Sequence, residues 1–290
     1  MIGIIGDLVE DTVVWLSGPI EHGTDTESRI FHTRGGSGAN VATSAARFGA
    51  TRFIGCVGAD ARGDALVATL EADGVDVRVN RHGSTGTIVI LIDAEGERTM
   101  LPDRGASVLL DEVPDAWLND LRLLHVPAYA FHGEPTGITT ADAIRRARSF
   151  GARISVDASS TGMLARYGAR RFLDLMAELR PDVLLANAEE AACLGLWWSG
   201  APGPDRVALP DTIVVVKHGA DPTWVDAPGA DPFAIPVPPV REVRDLTGAG
   251  DAFAAGFLST YMETDDLTKA CATGHAAAAR VLTSPGSAPL

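Results

Sequence analysis

The sequence has few of the features that mark several large classes of protein. Its cysteines, Cys56, Cys193 and Cys271, are far apart and form no Cys-x-x-Cys pair, which argues against a disulfide framework and a cysteine-bound metal. No apolar run approaches the roughly 18 residues of a membrane-spanning helix. The N-terminus has no basic segment and meets acids at Asp7 and Glu10, which is not typical of a signal peptide. These absences predict a cytoplasmic protein.

Positive charge is also scarce. The 290 residues include 24 basic and 38 acidic side chains, a formal net charge of −14, and no cluster of Lys or Arg offsets it. Such a surface repels nucleic acid and anionic membranes, so neither is an expected partner. An anionic ligand such as ATP would need local positive groups or a metal ion.

Two common nucleotide-binding motifs are missing as well. No Gly-x-Gly-x-x-Gly follows the first predicted strand at residues 2–5, and there is no Walker A sequence. The sequence therefore does not favour a nicotinamide-dependent oxidoreductase.

A different phosphate-binding signal is present in Asp245-Leu-Thr-Gly-Ala-Gly-Asp251. Small residues from Thr247 to Gly250 run into an Ala- and Phe-rich helical pattern, so unpaired N–H groups and a positive helix end would face a ligand. In the first predicted turn, the Asp251 carboxylate could accept a hydroxyl proton while the N–H groups hold a phosphoryl group. The alternative is that Asp251 only caps the helix.

Strand and helix patterns alternate along most of the chain. Strands are predicted at residues 2–5, 51–57, 121–126, 153–157, 183–186 and 212–217, and helices at 41–48, 62–73, 138–150, 169–179, 251–262 and 267–282. The alternation predicts an α/β fold with a mainly parallel sheet that is covered on both faces. Ligands bind beyond the carboxyl ends of such strands, where Asp7 and Asn187 are expected.

Two segments have only β character. Residues 87–93 and 98–101 flank a Gly-containing turn and predict a hairpin, and residues 9–32 have the pattern of exposed strands. The predicted division is a core of residues 1–8, 33–84 and 104–290, and a small β-sheet lid of residues 9–32 and 85–103. Because bare strand edges invite pairing, we expect a homodimer formed through the lids.

These motifs resemble the ribokinase-like (PfkB) carbohydrate kinase family over nearly the whole chain. Gly35-Gly36-Ser-Gly-Ala-Asn40 is similar to the family's first signature, and the segment from Asp245 to Asp251 is similar to its second. Between them, lesser motifs follow the family's order: Val57-Gly-Ala-Asp60 with Gly63, Gly74-Val75, Gly96-Glu-Arg98-Thr99 and Asn187-Ala-Glu-Glu190. The resemblance implies a three-layer α/β/α core, a lid, and phosphorylation of a sugar-type hydroxyl by ATP with Mg²⁺.

The resemblance also implies roles for individual residues. Asp251 would be the general base, beside an anion hole formed by the N–H groups of Gly248, Ala249 and Gly250. The substrate's hydroxyls would be held by Asp7, Asp11, Gly35, Gly36 and Asn40. The nucleotide would be contacted by Asn187, Lys217, Gly219 and His275. Metal ions would be positioned by Glu190, for Mg²⁺ through water, and by Asp245 and Thr247, for a monovalent cation such as K⁺.

Several of these residues have ordinary structural alternatives. Asn40 could cap the following helix, Glu190 could be a solvated acid near a helix N-terminus, and Asp11 could be a simple loop acid. His275 stands where many members have Asn, and it could contact adenine or face solvent.

Departures from the family pattern concern the substrate and the nucleotide loop. Ser37 stands where ribokinase has Lys, so ribose does not follow as the substrate. The predicted nucleotide loop at Gly219 lacks the second glycine that this loop usually has in the family. Arg104 lies at the edge of the lid, where it could pair with a substrate carboxylate or phosphate or could be solvated.

The predicted function is transfer of the γ-phosphoryl group of ATP to a sugar-like hydroxyl. The alternatives are a nucleoside kinase on the same scaffold and a catalytically silent sugar-binding regulatory protein. An intact Gly-Ala-Gly beside Asp251 argues against the silent protein, because binding alone needs no base.

Overall fold

The computed structural model of the protein describes residues 1–243 and 246–283. The strands are β1 Ile2–Ile5, β2 Val9–Leu16, β3 Ser28–Gly35, β4 Thr51–Val57, β5 Asp76–Arg81, β6 Thr85–Ile92, β7 Arg98–Gly105, β8 Leu123–Pro127, β9 Arg153–Asp157, β10 Val183–Asn187, β11 Trp197–Trp198, β12 Ala201–Pro202, β13 Ile213–His218, β14 Asp221–Asp226 and β15 Phe233–Ile235. The α-helices are α1 Ser37–Ala46, α2 Ala61–Ala72, α3 Thr136–Ser149, α4 Thr161–Tyr167, α5 Ala169–Leu179, α6 Ala188–Cys193, α7 Ala249–Thr264 and α8 Leu267–Thr283. No helix in these two ranges is both long enough and apolar enough to cross a membrane.

The larger sheet has nine strands in the order β15-β14-β13-β10-β9-β8-β1-β4-β5. The strands from β13 to β5 in this order run parallel, and β14 and β15 extend the sheet antiparallel. Apolar side chains are buried on both faces, with Phe131 and Phe172 in one cluster and Phe53 and Phe257 in the other. Helices therefore cover both sides of the sheet, and the predicted α/β/α fold is confirmed.

Most predicted elements lie close to their observed positions, and the differences have local causes. Strand β8 begins two residues late because Leu121 lies in a turn, where its N–H donates to the carbonyl of Leu118. Strands β5, β14 and β15 are not evident in the sequence pattern. β5 and β15 are the two edge strands of the sheet and β14 lies next to β15, and incomplete burial there leaves a weak apolar pattern.

A smaller sheet has the strand order β3-β2-β6-β7. Strands β6 and β7 form the predicted antiparallel hairpin, whereas β2 and β6 pair in parallel. Strands β3 and β7 continue past the predicted lid boundaries, to Gly35 and Gly105. The division into core and lid stays a prediction, with these strands as its physical basis.

Helix α1 comes very close to the chain just after β1 where two glycines meet. A β-carbon on Gly38 would lie 2.7 Å from the Cα of Gly6, and a β-carbon on Gly6 would lie 2.8 Å from the Cα of Gly38. Both atoms are backbone, so neither can move away cheaply. This contact places the first turn of α1 directly above the end of β1, where the site described below begins.

We predict that Gly38→Ala lowers the free energy of unfolding by about 1–3 kcal/mol, because the added methyl group forces α1 away from β1. Gly49→Ala is the matched control, since a β-carbon there meets nothing within 4 Å. Chemical denaturation of both variants measures the difference. Equal stability of the two variants would contradict the close-packing argument.

Candidate active site

The site is centred on Asp251, in the first turn of α7. Gly248 is the N-cap of this helix and adopts a left-handed conformation, with φ of 76°, which favours glycine. The Ala249 N–H donates to the carbonyl of Leu246 at 3.3 Å. Because Asp251 is in the first turn of α7, its carboxylate lies near the positive end of the helix dipole.

The first signature supplies the hydrogen-bond donors to Asp251. Ser37 Oγ donates to Oδ1 at 2.7 Å, and Asn40 Nδ2 donates to Oδ2 at 3.0 Å. Burial raises the pKa of Asp251 to about 6, these two hydrogen bonds oppose the rise, Asp157 adds to it and Lys217 lowers it. The predicted base is therefore a partly buried carboxylate with a pKa near neutrality, as general bases require.

Asn40 does not cap α1. The helix begins at Ser37 and its N-cap is Gly36, so Asn40 lies inside the first turns and projects toward Asp251. The capping alternative for Asn40 is therefore wrong.

The predicted substrate-binding acids lie beside the two glycines of the first signature. Asp11 is partly buried and its Oδ1 has no hydrogen-bond partner among the described residues. Burial, then the nearby Asp7, raises the pKa of Asp11 to about 7. A β-carbon on Gly35 would lie 2.1 Å from the Asp11 carboxylate, and one on Gly36 would lie 2.4 Å from the carbonyl oxygen of Asp7. The glycines thus make room for the acids.

Asp7 has a partly structural task. It is buried, its Oδ1 accepts a hydrogen bond from the Gly38 N–H at 3.2 Å, and its carbonyl accepts one from Ala39. Its carboxylate fixes the loop from which α1 starts.

Asn187 and Glu190 form a capping box at the start of α6. The Asn187 side chain accepts from the Glu190 N–H, and the Glu190 carboxylate accepts from the backbone and the side-chain amide of Asn187, all at 2.8 Å. Glu190 is 3% exposed, so the alternative of a solvated acid is wrong. Burial, then the charge of Asp157, raises the pKa of Glu190 to about 6, while Lys217 opposes the rise.

Lys217 lies at the end of β13 and pairs with Asp157, at the end of β9. Its Nζ donates to Asp157 Oδ2 at 2.7 Å, and both side chains are mostly buried. A β-carbon on Gly250 would lie 3.6 Å from this Nζ. The ammonium group therefore borders the predicted anion hole.

The other predicted nucleotide and cation residues have mixed surroundings. Gly219 forms the turn between β13 and β14, with φ of 64°. His275 is buried, its Nε2 lies 2.8 Å from Thr223 Oγ1, and its ring packs on Phe253, so the solvent-facing alternative is wrong. Thr247 Oγ1 accepts a hydrogen bond from Arg98 at the start of β7. Asp245 lies outside the described residues.

Arg104 is partly buried rather than a solvated residue at the edge of the lid. Its Nη1 donates to the carbonyls of Tyr129 and His132, both at 3.1 Å. Among the described residues, its Nη2 and Nε have no hydrogen-bond partner. Burial, then the positive charges of Arg104 and Arg166, lowers the pKa of the His132 imidazole. Positive charge is therefore concentrated around His132 and Arg104, which we call the Arg104 rim.

Sequence reasoning missed three residues of this site. Ser37 stands out in the sequence only as a departure from ribokinase, yet it contacts Asp251. Asp157 is the last residue of β9, and Tyr129 lies two residues after the end of β8. Burial, then the charges of Asp7, Asp251 and Glu190, raises the pKa of the Tyr129 hydroxyl. A search of the carboxyl ends of the predicted strands, the location that singled out Asp7 and Asn187, could have found both.

Comparison with known proteins gives a consistent result. The chain matches the family described as pfkB family carbohydrate kinase over residues 2–290. It is 33% identical over 251 residues to an ATP-dependent ribose-1-phosphate kinase of Halopiger xanaduensis, covering 84% of this chain and 79% of the relative. It is 30% identical over 270 residues to a fructokinase of Salmonella typhimurium, covering 89% and 83%.

A solved structure has the same fold. The adenosine kinase of Sinorhizobium meliloti superposes with a TM-score of 0.84 at 24% identity, covering 100% of this chain and 95% of the other. At this identity the likeness concerns the fold alone. Together with the match to the family over residues 2–290, it leads to one conclusion: the chain belongs to the pfkB family of carbohydrate kinases and is a phosphotransferase that acts on a hydroxyl group.

Proposed function

We propose that this protein transfers the γ-phosphoryl group of ATP to a hydroxyl group of a sugar or sugar-like molecule. The observation that carries the proposal is the partly buried Asp251 carboxylate at the start of α7, held by Ser37 and Asn40. One carboxylate beside one set of helix N–H groups is sufficient for this chemistry, which depends on positioning and charge stabilisation.

In the proposed step the substrate's hydroxyl oxygen attacks the γ-phosphorus, and the bond between that phosphorus and the β,γ-bridging oxygen breaks. The hydroxyl proton passes to Asp251, and ADP leaves with the bridging oxygen. The N–H groups of Gly248, Ala249 and Gly250 stabilise the charge on the phosphoryl oxygens. For this the Ala249 N–H must turn away from the Leu246 carbonyl, to which it donates at 3.3 Å here. Asp11, with its unpartnered Oδ1, accepts a hydrogen bond from another hydroxyl of the substrate, in the pocket shared with Asp7, Gly35 and Gly36.

The side chains of Glu190 and Asn187 suit a magnesium ion that arrives with the nucleotide. No group of three or more His, Cys, Asp or Glu able to hold a metal is found within residues 1–243 and 246–283. Mg²⁺ commonly keeps several waters and binds one or two carboxylates plus substrate phosphates. When bound, the ion would neutralise charge on the phosphates, and we propose that Glu190 and Asn187 hold it through water.

We assign the nucleotide's adenosine to the surface near Gly219 and His275. We assign a K⁺ site to Asp245 and Thr247.

The Arg104 rim favours substrates that carry a carboxylate or a phosphate. The two carbonyl contacts hold the guanidinium in place, so its remaining N–H groups can pair with an anion at little entropic cost. The named activity of the ribose-1-phosphate kinase relative, which takes a phosphorylated sugar, agrees with this proposal.

Two alternatives remain as outcomes of the same test. A nucleoside kinase would use the same Asp251 and the same anion hole. A silent sugar-binding protein would have no use for a carboxylate whose pKa is raised to about 6 beside a helix start.

We also propose that the lids pair in a homodimer. On the lid face opposite Asp11, the register aligns Ile30 with Val14 and Val14 with Leu91, and it places Leu101 beside Val89. Ile30 is 56% exposed and Leu101 is 52% exposed. An apolar row of this kind favours burial against a second copy.

The proposed function leads to three predictions, of which the first concerns Asp251. ADP release is measured with ATP and Mg²⁺ against ketoses, pentoses, sugar acids, phosphosugars and nucleosides, and we expect turnover on one group, highest with anionic sugars. Asp251→Asn should lose about 10²–10⁴-fold in kcat because the base is gone. If no compound is turned over and both proteins show equal ligand-induced thermal shifts, the silent protein is correct.

The second prediction concerns pH. Because Asp251 must be ionised, kcat/KM should fall as the pH drops through about 6. Ser37→Ala removes a hydrogen bond that lowers the pKa of Asp251, so the acid limb should move to higher pH by about 0.5–1 unit. Ser149→Ala, a surface substitution, is the control. An unmoved limb in Ser37→Ala would contradict the assigned contact.

The third prediction concerns the lid. Sedimentation velocity at micromolar concentration should show a dimer for the wild type, and Ile30→Ser should shift it toward monomer because the substitution makes the shared apolar row polar. Ile138→Ser, at another exposed apolar position on α3, controls for a general effect. A wild-type monomer at this concentration rejects the dimer.

A further inference from the structure

Lysine is rare in this chain, and one lysine lies in the active site. Of the 24 basic side chains 22 are arginine, and the lysines are Lys217 and Lys269. Lys269 is a surface residue beside Asp266, with a side chain that is 68% exposed, whereas the Lys217 side chain is 16% exposed. A lysine ammonium is a compact point charge with three donors, unlike the planar fork of arginine.

Carboxylates surround this ammonium group on several sides. Asp157 accepts its hydrogen bond at 2.7 Å, and Asp157, Glu190 and Asp251 all raise the pKa of Lys217 against the effect of burial. Lys217 in turn lowers the pKa of both Glu190 and Asp251. The site therefore holds more negative than positive charge, and an incoming triphosphate would add to the excess.

The position of Lys217 links this charge to the reaction. Its Nζ borders Gly250, in the predicted anion hole, while Asp157 holds it from the side of β9. One donor of the ammonium serves Asp157, and the other donors stay available for a phosphoryl oxygen bound at the N-terminus of α7.

We propose that Lys217 is a catalytic residue that donates hydrogen bonds to the transferring phosphoryl group, and that Asp157 is the positioning residue that holds it beside the anion hole. The proposal rests on the proposed kinase function. Lys217 exchanges no proton with the phosphoryl group, and the hydroxyl proton still passes to Asp251.

The competing explanation is a purely structural ion pair. Removing one partner of a buried pair leaves an uncompensated charge and destabilises a protein strongly, whatever the pair does in catalysis. A test must therefore measure something that stability does not change.

Kinetics of the single and double variants provide that test. Lys217→Met should lower kcat by about 10²–10³-fold, as the loss of one oxyanion donor does. It should also raise KM for ATP by about tenfold, because the bound γ-phosphoryl group loses the same donor before the reaction. Asp157→Asn/Lys217→Met should lose no more than Lys217→Met alone, because Asp157 acts through Lys217. The double variant removes both charges, so it remains informative if Lys217→Met fails to fold. Lys269→Met is the matched control and should keep wild-type kcat.

The pH dependence of kcat/KM provides a second test, because the two single variants should shift its acid limb in opposite directions. Asp157→Asn removes a charge that raises the pKa of Asp251, so the acid limb of kcat/KM should move to lower pH. Lys217→Met removes a charge that lowers this pKa, so the limb should move to higher pH. Wild-type kcat in the double variant, or limbs unmoved in both single variants, would overturn the proposal in favour of a structural pair.

Binding separates this proposal from the failure of the proposed function. Calorimetry with the non-hydrolysable analogue AMP-PNP and with ADP, both with Mg²⁺, needs no acceptor substrate. The double variant should lose about tenfold more affinity for AMP-PNP than for ADP, because only the former brings the γ-phosphoryl group. If the wild type phosphorylates no compound, the kinase function fails, yet this ratio still tests Lys217. Equal losses for the two nucleotides would reject its contact with the γ-phosphoryl group.

Discussion

The hydrogen bonds from Ser37 and Asn40 to Asp251 join the N-terminal turns of α1 and α7, and the rest of the site is arranged around this junction. A carboxylate partly removed from water, as that of Asp251 is, loses hydration that must be compensated by other groups. Two side-chain donors and a helix start provide the compensation here. The close approach of Gly38 to Gly6 carries α1 to the place where its donors reach the acid. The packing of small residues therefore determines the surroundings of the proposed base.

Much of this architecture could be predicted from the sequence. The alternation of apolar strands and helices reflects burial of the sheet on both faces, and it correctly predicts strands such as β4 and β9 at their observed bounds. The glycine-rich segments are equally informative, because only glycine fits beside Asp11 and beside the carbonyl of Asp7. A local pattern is reliable when the constraint that produces it is local.

The remainder depends on contacts between distant parts of the chain. Nothing near Ser37 in the sequence indicates that it meets a residue 214 positions away. The pairing of Lys217 with Asp157 likewise arises from the order of strands β9, β10 and β13 in the sheet. His275 is ambiguous in the sequence for the same reason, since its burial depends on Thr223 and Phe253 from other elements. A pattern of residue types does not contain this information.

Asp11 Oδ1, which has no hydrogen-bond partner among the described residues, has a consequence for the selectivity of the proposed substrate site. A buried acceptor without a donor costs a folded protein about 1–3 kcal/mol. A bound molecule that donates a hydroxyl hydrogen bond to this oxygen removes the cost. A deoxy analogue of the same shape keeps water out but donates no hydrogen bond, so the oxygen stays unsatisfied. Discrimination of this kind exceeds what apolar contacts achieve, because the wrong ligand is rejected by an unmet hydrogen bond rather than by a clash. In its proposed substrate-binding role, this unsatisfied acceptor on Asp11 would select ligands that carry a hydroxyl group at the matching position.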